Sequence, residues 1–212
     1  MAFITCFITL ILGYPFAYFV ANIKSRFRLL VLLLVMIPFW TSSLLRTYGL
    51  KVLLNTNGVI NSLLLWLGAI DSPIKFMNTR FAVMVGMVYM LLPLMIFPVY
   101  NAIAKLDRSL IEASYDLNAG KFVTFAKITL PLTLSGIIGG LTLVFIPAVG
   151  LFFISDLLGG STVMLIGNLI NNQINSARNW PFGAALAVVL LLITLGMVFA
   201  YSRTSKNMED IL

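Results

Sequence analysis

The chain has 212 residues, of which 60% are hydrophobic and only 10% are charged, and its mean hydropathy is +1.03. This composition excludes an ordinary soluble domain and indicates an integral membrane protein. The chain contains no histidine, which excludes histidine metal sites, histidine proton relays and histidine-based triads. Its net charge of +7 could suggest nucleic acid, but no basic cluster is interleaved with aromatics as in a binding face, so no nucleic-acid partner is expected.

Five apolar stretches approach the length of about 20 residues that a helix needs to cross a bilayer. They cover residues 2–21, 29–45, 82–100, 132–150 and 182–201. Alternate connections between such spans lie on the same side of the membrane. One set contains nine basic residues and the other contains five. Since basic residues accumulate in cytoplasmic loops, we expect the richer set, which includes the connection 101–131 and the tail 202–212, to be cytoplasmic.

The first span begins at residue 2 with no polar segment before it. Five spans with a cytoplasmic C-terminus place Met1 outside, so we expect a preceding spanning helix to be missing. A signal peptide is the competing interpretation, but the run has no basic segment before it and no clear cleavage site.

Glycine and proline are frequent within the predicted spans, including Gly13, Gly136, Gly139 and Gly140. Helix packing is the simplest role for them, although transporters also use interrupted helices at substrate sites. Two shorter apolar segments, 59–70 and 163–174, predict helices that lie at the outer interface, where they contact membrane lipid.

Residues 112–131 form a polar island within the apolar sequence, EASYDLNAGKFVTFAKITLP. Ser109 and Glu112 have the spacing of a capping box, which predicts the start of a short helix. Asn118 and Gly120 predict a turn, since Asn and Gly enter left-handed backbone geometry at low cost. A second short helix is predicted over 121–128, with Phe122, Phe125 and Ile128 on one face, and Pro131 in the first turn of the next helix.

None of the seven acidic residues lies at the centre of a predicted span, so a proton-driven pump is not expected. The sequence also lacks a phosphate-binding loop and any paired base or metal-ligand set, so we expect neither an enzyme nor a bound cofactor. Uphill transport by this chain would require an energised partner on the cytoplasmic side.

The island resembles the "EAA" loop of importer-type ABC transporter permeases, in which Glu-Ala-Ala, Gly and Ile-x-Leu-Pro recur at fixed spacing. The positions that carry this resemblance are Glu112, Ala113, Ser114, Asn118, Ile128, Leu130 and Pro131. Ser114 stands where the family has a second Ala, and Asn118 stands where it has Gly. The resemblance implies an all-α, MetI-like helix bundle of about five transmembrane helices in one permease domain, 1–212, without the family's first helix. It also implies that 101–131 is a coupling loop, with Glu112, Ala113, Ser114, Asn118, Gly120 and Lys121 contacting an ABC ATPase dimer.

Further blocks resemble the spermidine/putrescine permeases of this family. They read GYPFA at 13–17, IPFWT at 37–41, RTYGLK at 46–51, LWLG at 65–68, SDL at 155–157 and NWPFGA at 179–184. This resemblance implies a second permease subunit, a periplasmic polyamine-binding protein, and a place in the bacterial inner membrane. It favours inward transport of polyamines, with an inorganic anion or ferric ion as the alternative solute and a non-transporting assembly or regulatory subunit as the alternative role.

A polycationic substrate would be bound by carboxylates and aromatic faces. The candidates for a substrate path are Trp40, Tyr48, Tyr89 and Asp156. Each also has a purely structural explanation: Trp40 and Tyr48 as interface anchors, Tyr89 in helix packing and Asp156 as a cap.

Overall fold

The computed structural model describes residues 1–160 and 163–209, with side chains described as far as residue 199. Its regular elements in those ranges are helices and helical turns, with no strand among them. The first six helices are α1 (Ala2–Asn22), α2 (Ser25–Trp40), α3 (Ser43–Leu53), α4 (Val59–Trp66), α5 (Arg80–Ala104) and α6 (Arg108–Asp116). They are followed by α7 (Lys121–Leu132), α8 (Leu134–Gly150), α9 (152–159), α10 (166–176) and α11 (Trp180–Glu209).

Three helices, α1, α5 and α8, pack together and form the core of the bundle. Glycines bring their backbones close together. A Cβ atom on Gly136 would lie 2.5 Å from the Ala102 Cβ and 2.7 Å from the Pro98 carbonyl oxygen, and one on Gly140 would lie 2.7 Å from the Met95 sulfur. Small residues at such crossings allow the dispersion contacts on which membrane helices depend. The predicted packing role of these glycines is confirmed.

The second predicted span, 29–45, is wrong at both ends. Helix α2 begins at Ser25 and ends at Trp40, and α3 then leaves at an angle of 94°. Thr41 has extended backbone geometry and its hydroxyl donates to the Pro38 carbonyl oxygen at 2.7 Å. This side-chain bond competes with continuation of the helix, so the apolar run 29–45 is divided between two helices.

The fourth predicted span, 132–150, also begins at a bend. Helix α7 continues through Pro131 to Leu132, and α8 starts after Thr133 at an angle of 61°. A π-helical turn over Phe125–Thr129 precedes Pro131. Pro131 follows this turn and lies in the first turn of the α-helical segment Leu130–Leu132 that ends α7, so its predicted place is confirmed.

The remaining boundaries differ by a few residues. Helix α5 extends beyond the predicted 82–100 because the Thr79 hydroxyl caps its start, accepting from the Ala82 N–H at 3.2 Å. Helix α11 continues through most of the predicted tail, and residues 210–212 of that tail lie outside the described residues. The predicted outer helix 59–70 ends at Trp66, before Gly68 at φ 67°, and the predicted 163–174 is observed over 166–176.

The number of spans depends on how the bent pairs are counted. By length and hydropathy, α1, α5 and the 180–199 part of α11 could each cross a bilayer alone within the described ranges. Counting α2 with α3, and α7 with α8, as single bent spans gives five. The predicted all-α fold of about five apolar spans is confirmed.

Candidate functional site

The polar island folds into a helical hairpin, here called the α6–α7 hairpin, in which residues 117–120 join the two helices. Helix α6 begins two residues earlier than predicted, with Asp107 as its cap in place of Ser109. The Asp107 carboxylate accepts from the Ser109 N–H at 2.9 Å, so the predicted Ser109–Glu112 capping box is wrong. Hydrogen bonds from the Ser109 backbone and hydroxyl hold the pKa of the Asp107 carboxyl below its usual value. The cap is therefore ionised at neutral pH, and its contribution is lost only as pH falls through that lowered pKa.

The turn at the tip of the hairpin has left-handed backbone geometry at Asn118, with φ 60°. The Asn118 N–H donates to the Tyr115 carbonyl at 2.8 Å, and the Ala119 N–H donates to the Ser114 carbonyl at 3.0 Å. These two bonds form a Schellman motif, which satisfies the last carbonyls of α6. The predicted turn is confirmed, and Asn118 is the residue that makes it. Gly120 instead caps the start of α7, with φ −70°.

A pair of buried hydroxyls joins the two helices of the hairpin. Ser114 Oγ lies 2.9 Å from Thr124 Oγ1 and 2.7 Å from the Ile111 carbonyl oxygen. The Thr124 hydroxyl also lies 3.2 Å from the Gly120 carbonyl oxygen, so each hydroxyl has a backbone acceptor and either one can donate to the other. Both residues are buried, 5% and 3% exposed, so this bond is shielded from competing water. Ser114 does more here than provide the small volume of an alanine.

The outer surface of the hairpin combines apolar and charged side chains. Leu117 and Phe122 flank the turn and are 84% and 82% exposed, which is unusual for such large apolar groups outside a span. Phe122 is far more exposed than Phe125 and Ile128, with which the sequence predicts it to share one helix face. Glu112, Ala113 and Lys121 are also exposed on this surface. An exposed apolar patch rimmed by charges is typical of a protein-binding site.

The base of the hairpin is anchored to α1. The ring of Phe125 packs edge-on against Tyr14 at 5.7 Å and against Tyr18 at 6.1 Å. The Tyr14 hydroxyl lies 3.0 Å from Thr133 Oγ1, and both residues are buried. Thr133 is the residue between α7 and α8, so Tyr14 connects α1 to the bend itself. The hairpin therefore contacts α1, and Tyr14 of α1 contacts the bend that leads to α8.

The four candidate path residues lie at separate places. Trp40 ends α2 and is 76% exposed, and Tyr89 lies on α5 at 40% exposure. Tyr48 on α3 is 53% exposed, and its ring faces the Lys51 ammonium at 5.9 Å. Asp156 is exposed on α9 and accepts from Asn168 Nδ2 at 2.5 Å.

The elements that contain these residues do touch one another: α5 packs against α2, α3 and the 155–159 turn that contains Asp156, and α3 packs against the same turn. No hydrogen bond or ring contact joins any two of the four side chains in the part of the chain that the structure describes. The structure does not assemble these residues into one closed site.

Sequence reasoning missed Tyr14, Thr124 and Thr133. Their bonds join residues that are 10 and 119 positions apart, so no local pattern indicates them. The signal that was available is compositional: Thr124 and Thr129 lie within the polar island, and Thr133 follows Thr129 at the helical spacing of four residues.

The chain matches a known protein family over most of its length. Residues 13–205 match the family described as "Binding-protein-dependent transport system inner membrane component". The chain is 50% identical over 206 residues to the spermidine/putrescine transport system permease protein PotB of Escherichia coli (strain K12). That alignment covers 97% of this chain and 75% of the relative.

Solved structures with the same fold belong to ABC transporters. A bacterial transporter involved in the import of the acidic polysaccharide alginate superposes with a TM-score of 0.75 at 18% identity, covering 97% of this chain and 77% of that one. The MetNI methionine ABC transporter, in an inward-facing conformation, gives a TM-score of 0.68 at 18% identity and covers 98% of this chain and 90% of that one. At this identity the likeness shows the fold alone.

Proposed function

Because the chain belongs to the family of binding-protein-dependent transport system inner membrane components, we propose that it is a permease subunit of an ABC importer for spermidine and putrescine. The observation that carries the polyamine assignment is the 50% identity to PotB across 97% of the chain. The hairpin supplies the physical basis for coupling, since it exposes an apolar surface and is anchored to the bundle. The chain itself performs no catalysis in this proposal, and ATP hydrolysis belongs to the partner.

The partner of the α6–α7 hairpin is an ABC ATPase dimer on the cytoplasmic side. Leu117 and Phe122 provide apolar contact area at the tip, and Glu112 and Lys121 provide charges that select the partner and its orientation. The surrounding complex includes a second permease subunit and a periplasmic polyamine-binding protein. The C-terminus of the chain lies in the cytoplasm, as the distribution of basic residues predicts.

Coupling proceeds through the base of the hairpin. A change in the ATPase moves α6 and α7 as a unit, because the Ser114–Thr124 bond joins them. The motion reaches α8 through the bend at Thr133 and α1 through the Tyr14 hydroxyl and the Phe125 ring. Two-state rearrangement of packed helices of this kind is the usual means by which transporters alternate access.

The substrate path uses Trp40, Tyr48, Tyr89 and Asp156. Aromatic faces attract ammonium groups by about 0.5 to 2 kcal/mol each, and Asp156 supplies a carboxylate whose orientation Asn168 fixes. Arg46 and Lys51 on α3 repel a cation, and the Lys51 ammonium already faces the Tyr48 ring, so the second permease must supply acidic surface where the path passes Tyr48. The interior-negative potential already favours entry by about 2.3 kcal/mol per charge per 100 mV, so ATP controls access more than it supplies driving force.

Uptake of labelled spermidine tests the proposal, in cells that lack their own polyamine uptake and contain the partner subunits. We expect the wild-type chain to restore uptake and Glu112→Ala to lower it about tenfold, the effect of losing one charge-assisted contact. Asp71→Ala is the matched control, because it removes an exposed carboxylate from the opposite set of connections.

Each proposed assignment has its own contrary result. Uptake of sulfate or iron without polyamine would contradict the substrate. Binding of the ATPase with no stimulated hydrolysis in liposomes would favour an assembly or regulatory role instead. An equal loss from Glu112→Ala and Asp71→Ala would contradict the role of the hairpin.

A further inference from the structure

A cavity of about 180 Å³ lies where the ends of α1 and α5 meet the start of α6. Its polar lining comes from Asn22, Arg28, Arg108 and Thr129, with Tyr18 and Ile111 beside them. None of the described residues that line it is acidic. Two guanidinium groups without a lining carboxylate make this a site for an anion.

Arg28 is held in a fixed position in this cavity. Its Nη2 atom donates to the Ala21 carbonyl at 2.7 Å and to the Ile23 carbonyl at 3.4 Å, at the end of α1. Its Nε atom is buried and has no hydrogen-bond partner. Buried donors are almost always satisfied in native proteins, so an unpaired guanidinium N–H beside a cavity indicates an acceptor from outside the chain.

The second cationic side chain of the cavity comes from α6 and is less constrained than Arg28. Arg108 is the first residue of α6 and is exposed, so its side chain can move towards a ligand. Its sequence neighbour Asp107 lines a separate cavity and already accepts from the Ser109 N–H. Asp107 therefore does not neutralise the cavity that Arg28 and Arg108 share.

We propose that this cavity binds the phosphate group of an anionic phospholipid of the cytoplasmic leaflet. The leaflet assignment rests on the orientation in the proposed function. Basic pockets between helix ends on this side of a membrane are where acidic lipid headgroups bind, and Arg matches phosphate oxygens with several donors at once. Free inorganic phosphate shares this chemistry but not the acyl chains, which would lie along the exposed apolar faces of α1 and α2.

The position of the site gives it a consequence for the hairpin. Arg28 belongs to α2, whereas Arg108 belongs to α6, so one phosphate would hold the bundle and the α6–α7 hairpin together. The headgroup acts as a bridge between two parts of the chain that are otherwise joined at this point by the short connection 105–107.

Native mass spectrometry of the purified full chain in detergent tests the site, with three separate probes: dioctanoyl phosphatidylglycerol, dioctanoyl phosphatidylcholine and inorganic phosphate. We expect the wild-type chain to retain phosphatidylglycerol and Arg108→Gln to bind it about tenfold more weakly, the effect of one charge-assisted hydrogen bond. Arg26→Gln is the matched control, because it removes the same charge two residues from Arg28 without lining the cavity. Arg28→Lys keeps the charge but removes Nε, and we expect it to weaken binding as well.

The contrary outcomes are distinct. Equal weakening by Arg26→Gln and Arg108→Gln would show general attraction to a basic surface and overturn the site. Retention of phosphatidylcholine as strong as that of phosphatidylglycerol would overturn the anion specificity, and binding of inorganic phosphate alone would overturn the lipid assignment. No binding of any probe would overturn the proposal entirely. Since none of these measurements involves transport, a failure here is separate from a failure of the proposed function.

Discussion

Asn118 holds the turn of the α6–α7 hairpin in left-handed geometry, at the position where the EAA loop of the family has glycine. A φ of 60° destabilises a residue other than glycine because its Cβ is crowded, but asparagine tolerates this region better than most. Two backbone hydrogen bonds from Asn118 and Ala119 offset that cost by closing the end of α6. The identity of residue 118 therefore determines how firmly the α6–α7 hairpin is held.

We predict opposite effects for two substitutions at this position. Asn118→Gly should leave transport intact or improve it, because glycine adopts this geometry without strain. Asn118→Val should destabilise the turn by about 1 to 2 kcal/mol, because a β-branched residue is strained at positive φ. Hydrogen exchange of the Asn118 and Ala119 amides, together with spermidine uptake, measures both effects. A severe loss of uptake in Asn118→Gly would show that the asparagine side chain has a role beyond the turn.

At the scale of elements, the sequence predicts the existence of helices better than their ends. Apolar runs of span length were sufficient to place α1, α5, α8 and the membrane part of α11. The bends at Thr41 and Thr133 were missed because they depend on side-chain bonds and tertiary contacts, which hydropathy does not register. The start of α6 was misplaced because Asp107 and Ser109 are both good caps, and local spacing does not decide between them.

For the candidate site, the sequence likewise predicts the local structure but not the contacts between distant residues. The hairpin and its left-handed turn follow from local sequence, so Asn118 could be identified in advance. The bonds that make the hairpin a unit, between Ser114 and Thr124, and that tie it to Tyr14, join distant positions. Such contacts become visible only when the helices are packed.

The bond between Tyr14 and Thr133 gives a prediction for coupling. Tyr14→Phe removes only the hydroxyl, and Thr133 keeps its bond to the Thr129 carbonyl at 2.8 Å, so stability should fall by only about 1 kcal/mol. In reconstituted liposomes, we expect Tyr14→Phe to transport less spermidine per ATP hydrolysed than the wild-type chain. We expect this loss to be larger than the small loss of stability alone would cause. Tyr18→Phe is the control, because Tyr18 also packs on Phe125 but its hydroxyl makes no hydrogen bond among the described residues. Equal coupling in both variants would contradict the role of the Tyr14 hydroxyl.

The crossing of α5 and α8 gives a second prediction at this scale. Gly136→Ala places a methyl group against Ala102 and the Pro98 backbone and should destabilise the bundle by about 1 to 3 kcal/mol. Gly196→Ala is the matched control, since a Cβ there meets nothing within 4 Å and alanine favours a helix. Thermal unfolding in detergent should show a lower midpoint for Gly136→Ala only. Equal midpoints would show that the helices can separate without cost.

Across the whole molecule, the central helices of the bundle are well buried, whereas the helices at its sides are largely exposed. Of the most apolar stretch of α5, 56% is buried inside the bundle, whereas the corresponding share for α11 is 6%. Helix α2 has no buried residue at all. These flanking helices expose continuous apolar surface, which lipid or the second permease of the proposed complex would cover.

The orientation of the chain can be tested with cysteine labelling. In a chain whose buried Cys6 is replaced by serine, a cysteine at Asn57 should react with an impermeant maleimide in spheroplasts. A cysteine at Ser109 should react only after permeabilisation, because the basic connections face the cytoplasm. Both positions are exposed, so burial cannot explain a difference between them. The reverse pattern would invert the proposed orientation.

The internal bonds of the α6–α7 hairpin bear on how reversibly the permease and its ATPase can associate. A docking segment that becomes ordered only on contact loses conformational entropy at each association, and its affinity falls accordingly. This hairpin is already ordered by its Schellman turn and its buried hydroxyl pair. Preorganisation of this kind lets a small surface around Leu117 and Phe122 hold a partner through repeated cycles of nucleotide exchange without refolding at each one.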